Sequence, residues 1–330
     1  EGDFTFVFGY PARTNEYLPS VAVNQEANVI YPVIVDLRTK ILNIYNKYQE
    51  KDAKVRIQYA AKHAGLGNGW KKWMGVIEGI RNFKGIEKKK AFETAYNEWC
   101  QETRARMKYM HALRDFTPIY EEYEKYRMAT TYLTEAGLSI ELIDFAANFN
   151  KLSRVTKDTP QEDIDEIINN LRIETTAFFK DYYQPIDENV AVTMLEAYRA
   201  AQPEDFRPAI LNEIDKKYKG DVKSYVDYLF EKSIFTSEEE INKLLDEFKV
   251  SKAKKLAKDP ALVAYNSMMD FYLENVKEKS VECNTVINNL RRVYMEGQMK
   301  MIPEVFPERN LYPDANFTLR VTYGKVGGFK

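Results

Sequence analysis

Apolar residues along the chain recur with two periods, and each predicts a different kind of element. Between residues 26 and 49 the positions Ile30, Val33, Ile34, Leu37, Ile41, Ile44, Tyr45 and Tyr48 step by three and four, which places them on one face of an α-helix. Pro32 falls in the first turns of that helix, where a missing amide hydrogen costs least. The same period predicts helices over about 52–64 and 69–82, then a nearly unbroken run over 87–136 that Pro118 is expected to kink or divide. Further helices are expected over 138–149, 160–183, 187–201, 208–218, 222–232, 237–248, 260–279 and 281–301. Thr159-Pro160-Gln161-Glu162 and Ser237-Glu238-Glu239-Glu240 supply start signals for two of them.

Only the ends of the chain alternate. Phe4, Phe6 and Phe8 face away from Thr5 and Val7, and Phe317, Leu319, Val321 and Tyr323 face away from Thr318, Arg320 and Thr322. Both stretches therefore predict strands. A two-stranded ribbon is marginal by itself, and its open edges invite further pairing. The helices over 21–305 then read as an insertion, with 1–20 and 306–330 as its roots in a β-structured domain. A small sheet lying on a complete helical bundle is the alternative.

Gly65-Leu66-Gly67-Asn68-Gly69-Trp70 interrupts the helical pattern between its second and third members. Three of the chain's fourteen glycines fall within five residues here, so the backbone is expected to leave the helix in an exposed turn. Trp70 and Trp73, three apart, would share a face of the next helix and anchor that turn. Asn68, held on the turn, is the candidate to present its amide to a ligand. The plainer reading is a glycine-capped helix end with a tryptophan plug.

Composition narrows the function classes. With 45% apolar residues, 13% of all residues being aromatic, 330 residues can bury a substantial core. The 48 basic and 50 acidic residues nearly cancel, which argues against nucleic acid or a membrane surface as a partner through bulk charge. No apolar run reaches the roughly 18 residues of a membrane span. The N-terminus, Glu1, is expected to be processed or to continue a longer chain. Cys100 and Cys283 are expected as packed thiols, one bridge in an oxidising compartment being the alternative. His63 and His111 are the only histidines, and no HExxH or CxxC spacing occurs, so no metal is expected. No Gly-x-Ser-x-Gly elbow or phosphate loop follows a strand, so neither a cofactor nor a catalytic centre is expected in these residues.

The ends and the glycine stretch together resemble one family. Gly2-Asp3-Phe4 and Gly9-Tyr10-Pro11-Ala12-Arg13-Thr14-Asn15-Glu16-Tyr17 resemble the GD-strand-GYPGRT-x-x-Y segment of bacterial serine dipeptidyl-peptidases of the dipeptidyl-peptidase 7 and 11 type. Arg291-Arg292-Val293-Tyr294-Met295-Glu296-Gly297 and the stretch from Tyr312-Pro313-Asp314-Ala315-Asn316 to Gly324 resemble its later signature. The resemblance implies a mainly α, multi-helix cap domain inserted in a chymotrypsin-like double β-barrel. It further implies a periplasmic or cell-surface exopeptidase that releases dipeptides from free peptide N-termini. The family's catalytic His and Asp precede the matched segment and its Ser follows it, so no catalytic residue is expected here and the chain alone is expected to be inactive. Beside the peptide substrate, the implied partners are the barrel of the same polypeptide and a second copy in a homodimer.

The family's cap offers an asparagine to the substrate's N-terminal ammonium within a segment reading Ser-Asn-x-Trp-Lys. Gly67-Asn68-Gly69-Trp70-Lys71 matches it, which implies that Asn68 binds the amine and that Trp70 supports it. An amide oxygen accepts a hydrogen bond from an ammonium without a second charge having to be desolvated, and a fixed acceptor measures two residues from the scissile bond. The chain departs from the family pattern at Ala12, where a glycine is expected, and at Gly67 and Gly69. The rival reading is a non-enzymatic helical binding or scaffold protein, whose aromatic faces meet a protein partner without regard to free amines.

Overall fold

The two alternating ends of the chain pair with each other. In the computed structural model, which describes residues 1–328, β1 (Phe4–Gly9) and β2 (Arg320–Lys325) form an antiparallel ribbon with Phe6 opposite Tyr323 and Phe8 opposite Val321. Phe4, Phe6 and Phe8 line up along one face with ring centroids 6.2 and 5.9 Å apart, yet each is more than half exposed. β2 begins three residues later than the alternation predicts, because Phe317 has a φ of +63°. That left-handed conformation ends a strand, and bulky side chains rarely adopt it. The Phe317 amide instead donates to the carbonyls of Pro11 and Ala12, at 3.1 Å each.

The chain between the strands is helical, as the apolar period requires. α1 (Ser20–Gln25) passes through a π-helical segment, Glu26–Ile30, into α2 (Tyr31–Gln49), and α3 (Ala53–Asn82) follows. α4 (Gly85–Gln101) and α5 (Met107–Tyr132) come next, and a second π-helical segment, Leu133–Gly137, extends α5. α6 (Glu141–Ala146), α7 (Asn150–Ser153), α8 (Gln161–Lys180), α9 (Gln184–Ala201) and α10 (Ala209–Lys217) are shorter on average. α11 (Val222–Lys232), α12 (Glu238–Asp246), α13 (Val250–Leu256) and α14 (Pro260–Phe271) lead through a third π-helical segment, Tyr272–Lys277, into α15 (Glu278–Val305).

Two expected breaks in the helical pattern are not observed. Pro118 lies inside α5 without ending it, and the run over 87–136 breaks instead at residues 102–106, where Thr103 is extended. The glycine stretch makes no turn: α3 runs unbroken for 30 residues through Gly65, Gly67 and Gly69. Asp52 starts that helix by accepting from the amides of Lys54 and Val55, at 2.7 and 3.4 Å. Five glycines each cost about 1 kcal/mol against alanine in a helix interior. Packing of one face against α2 outweighs that propensity.

The chain divides into two compact units. One comprises residues 1–24, 84–120 and those from 285 onward, and carries the ribbon. Its core is aromatic, with Tyr294 edge-on to Tyr96 at 5.0 Å and to Phe116 at 5.8 Å. The other comprises residues 25–83 and 121–284. Its core joins Leu37, Ile41 and Tyr45 of α2 and Tyr59 of α3 to apolar residues of α6, α9, α11 and α14. Both cysteines are buried and free.

Candidate functional site

The residues singled out by sequence lie on α3, which forms an antiparallel hairpin with α2. Along one face the partners follow in register. Tyr45 meets Tyr59 edge-on at 5.0 Å, and the His63 ring nitrogen lies 2.9 Å from the Asn46 side-chain oxygen. The Trp70 indole N–H donates to Thr39 Oγ1 at 2.8 Å, and Trp73 stacks on Tyr31 at 4.3 Å. Burial and the charge of Glu26 push the Tyr31 hydroxyl up to about 12. Trp70 is thus fixed to the neighbouring helix by its only polar side-chain atom.

Arg38 sits at the centre of this face. Its guanidinium donates to both carboxylate oxygens of Glu135 at 2.8 Å, and through Nη1 to the Leu66 carbonyl at 3.4 Å. Glu135 comes from the π-helical segment Leu133–Gly137. Gly69 packs directly beneath the guanidinium, where a Cβ would lie 2.0 Å from Arg38 Nη1. Here the glycine serves a close approach inside a helix and makes no turn.

The N-terminal half of the same face is anchored by carboxylates. Tyr59 Oη donates to Glu141 Oε1 at 2.8 Å, and Lys62 pairs with the other oxygen of Glu141. Buried Asp187 accepts from the backbone amides of Glu141 and Leu142 at 2.7 and 2.8 Å, which caps α6. Burial and the charge of Glu141 raise the Asp187 carboxyl well above its ordinary value.

Asn68 lies on the opposite side of α3. Two positions from Leu66, it is rotated roughly 200° around the helix axis, and it is exposed. Its neighbours on that side are mixed: Ala61, Ala64, Gly65 and Gly75 are small and exposed, and Ile57, Lys71 and Lys72 are exposed as well. A Cβ added at Gly65 or Gly75 would meet nothing within 4 Å. The arrangement offers an exposed amide with Lys71 and Lys72 one helical turn along, its backbone fixed from behind. Sequence reasoning singled out Asn68 and Trp70 but not Arg38, Thr39 and Glu135, which the fold gathers on the other face of α3. The one available signal was Gly69, a glycine inside an amphipathic pattern with no turn to explain it.

The terminal motifs are brought together within the unit that holds the ribbon. Asp314 accepts from the Thr14 hydroxyl at 2.7 Å and the Glu16 amide at 2.8 Å, while the Tyr17 hydroxyl donates to the Tyr312 carbonyl. Among the described residues no group of three or more His, Cys, Asp or Glu is placed to hold a metal, and no helix is long and apolar enough to cross a membrane.

A mainly helical chain whose two end motifs clasp each other at the base of a ribbon defines a class found in known proteins. The chain belongs to the peptidase S46 family, whose profile matches residues 1–330. An Asp/Glu-specific dipeptidyl-peptidase of Flavobacterium psychrophilum is 32% identical over 330 residues, covering all of this chain and 45% of that protein. Dipeptidyl-peptidase 7 of Porphyromonas endodontalis is 30% identical over 331 residues, covering all of this chain and 39% of the relative. The crystal structure of Porphyromonas endodontalis DPP11 in complex with dipeptide Arg-Asp superposes with a TM-score of 0.82 at 25% identity, over 99% of this chain and 46% of that one. The chain spans less than half the length of these relatives. The resemblance read from the motifs and the mainly α fold it implied are both borne out.

Proposed function

We propose that this chain is the helical cap domain of a serine dipeptidyl aminopeptidase, and that Asn68 receives the substrate's N-terminal ammonium. The catalytic groups then belong to a β-barrel in the same polypeptide, outside these residues. By holding the amine a fixed distance from the scissile bond and limiting access, the cap restricts cleavage to the release of dipeptides from peptide N-termini. A periplasmic or cell-surface location and a homodimer complete the proposal.

The observation that carries it is the position of Asn68. Its amide is exposed on a helix whose opposite face is fixed to α2 by Arg38, Trp70 and Trp73. A preorganised acceptor needs little further ordering when the ammonium arrives. Ala64 and Gly65, small and exposed one helical turn before it, admit a peptide main chain closely on that side. Relatives named dipeptidyl-peptidase support the substrate class.

The test is made in the full-length protein. Asn68→Ala should lower kcat/KM on free-amine dipeptidyl substrates by about ten- to a hundredfold, the worth of one hydrogen bond to a charged group. Its circular dichroism should be unchanged. N-acetylated peptides should compete poorly with free ones. Unaltered efficiency in the variant, together with equal binding of acetylated peptides, would refute the amine role.

A further inference from the structure

We infer that Arg38, clamped by Glu135, is a positioning residue for Asn68, and that Gly69 is the position on α3 that lets the clamp close. The inference rests on the reading of Asn68 given above. A guanidinium held by both oxygens of one carboxylate is planar and fixed in direction. Arg38 and Glu135 are mostly buried, with side chains 19% and 17% exposed, so water competes weakly for the pair. The fixed fork meets the backbone of α3 at two points that bracket Asn68. It donates to the Leu66 carbonyl before it and lies against the Gly69 Cα after it.

A helix turns as a rigid body over one turn, so holding residues 66 and 69 sets the direction of residue 68. Any side chain at position 69 meets Arg38 Nη1 and Cζ, the latter at 3.1 Å from a Cβ. Either the fork then leaves Glu135 or α3 moves away from α2. Both rotate the Asn68 amide, and a displacement of about 1 Å at a binding group can cost on the order of a hundredfold in rate. The acid partner comes from a π-helical segment, a local widening that adds a residue to the turn presenting Glu135.

The experiment places Gly69→Ala and Arg38→Gln in the full-length protein, each alone and combined with Asn68→Ala. KM and kcat are measured on a free-amine dipeptidyl substrate, beside thermal melts and the binding ratio of free to N-acetylated dipeptide. Each single substitution should raise KM by about tenfold and narrow that ratio, with kcat changed by less than about threefold. In the Asn68→Ala background the same substitutions should change KM by less than about twofold, because the group they aim is gone. Equal effects in both backgrounds would mean a purely structural role and overturn the inference while leaving Asn68 its function. No effect of either single substitution would overturn it in the same way. An inert Asn68→Ala would instead remove the underlying reading, and the inference with it. Should Gly69→Ala fail to fold, Arg38→Gln, which adds no volume beside α3, carries the same test.

Discussion

The two faces of α3 are made from overlapping residue types and do opposite things. Toward α2, Gly69 lies so close to Arg38 that a side chain there would displace the guanidinium, and Tyr59, Trp70 and Trp73 fill the remaining contact. On the other side, Gly65 and Gly75 face open space around Asn68. A glycine in a helix therefore has no fixed meaning. Its meaning is set by what stands opposite, a close neighbour at position 69 and an unoccupied surface at position 75. One face holds the helix still, which is what the recognition proposed for the other face requires.

The strongest way to break this comparison is to remove a residue from the holding face. Tyr59 is fully buried, packs on Tyr45 and donates to Glu141. Tyr59→Ala should cost about 3–5 kcal/mol of unfolding free energy, from lost burial and the cavity left behind. Asn68→Ala, on the exposed face, should stay within about 0.5 kcal/mol of the parent. Urea unfolding of the two variants side by side measures the contrast. Similar losses at both positions would show that the outer face also carries packing.

A smaller effect sharpens the comparison at the base of the holding face, where Glu141 ties α3 to α6. Asp187→Asn replaces an acceptor with an amide N–H₂ against one of the two backbone amides that Asp187 caps, and should cost about 1–3 kcal/mol. The pH dependence has a definite sign. In the folded state burial and Glu141 raise the Asp187 carboxyl above its ordinary 3.8, so the native protein keeps this proton where the unfolded chain has released it. This group then favours folding most below that ordinary value and loses its contribution as pH rises toward the raised folded value. The substituted amide does not titrate. The stability gap between parent and Asp187→Asn should therefore narrow as pH rises through that window, as followed by chemical unfolding at several pH values.

How much of this was legible in the sequence depends on whether the deciding contacts are local. The apolar period of α2 and the alternation of β1 depend on neighbours a few residues apart, and both were readable. Asn68 and Trp70 could be singled out as candidates because the surrounding motif is compact. The continuity of α3 was not readable, because what outweighs its glycines is packing with another helix, including Arg38 at 31 residues' distance from Gly69. Arg38 and Glu135 are 97 residues apart in sequence, and each alone resembles an ordinary solvated charge. The left-handed Phe317 was hidden for a similar reason, since the carbonyls its amide meets belong to Pro11 and Ala12 at the other end of the chain.

The mildest substitution asks the most of the comparison. If Gly75 faces only open space, its absent side chain does nothing for packing, and alanine there should relieve the helix of glycine's conformational cost. Gly75→Ala is then expected to stabilise the protein by about 0.5–1 kcal/mol, read as a raised urea midpoint with an unchanged slope. The same methyl adds bulk to the outer face of α3, just under two helical turns from Asn68. Should that surface receive a peptide main chain closely, the more stable variant will bind its substrate less well. A gain in stability paired with a rise in KM would identify Gly75 as kept open for the ligand, whereas a gain in stability alone would confine the recognising face to Asn68 and its nearest neighbours.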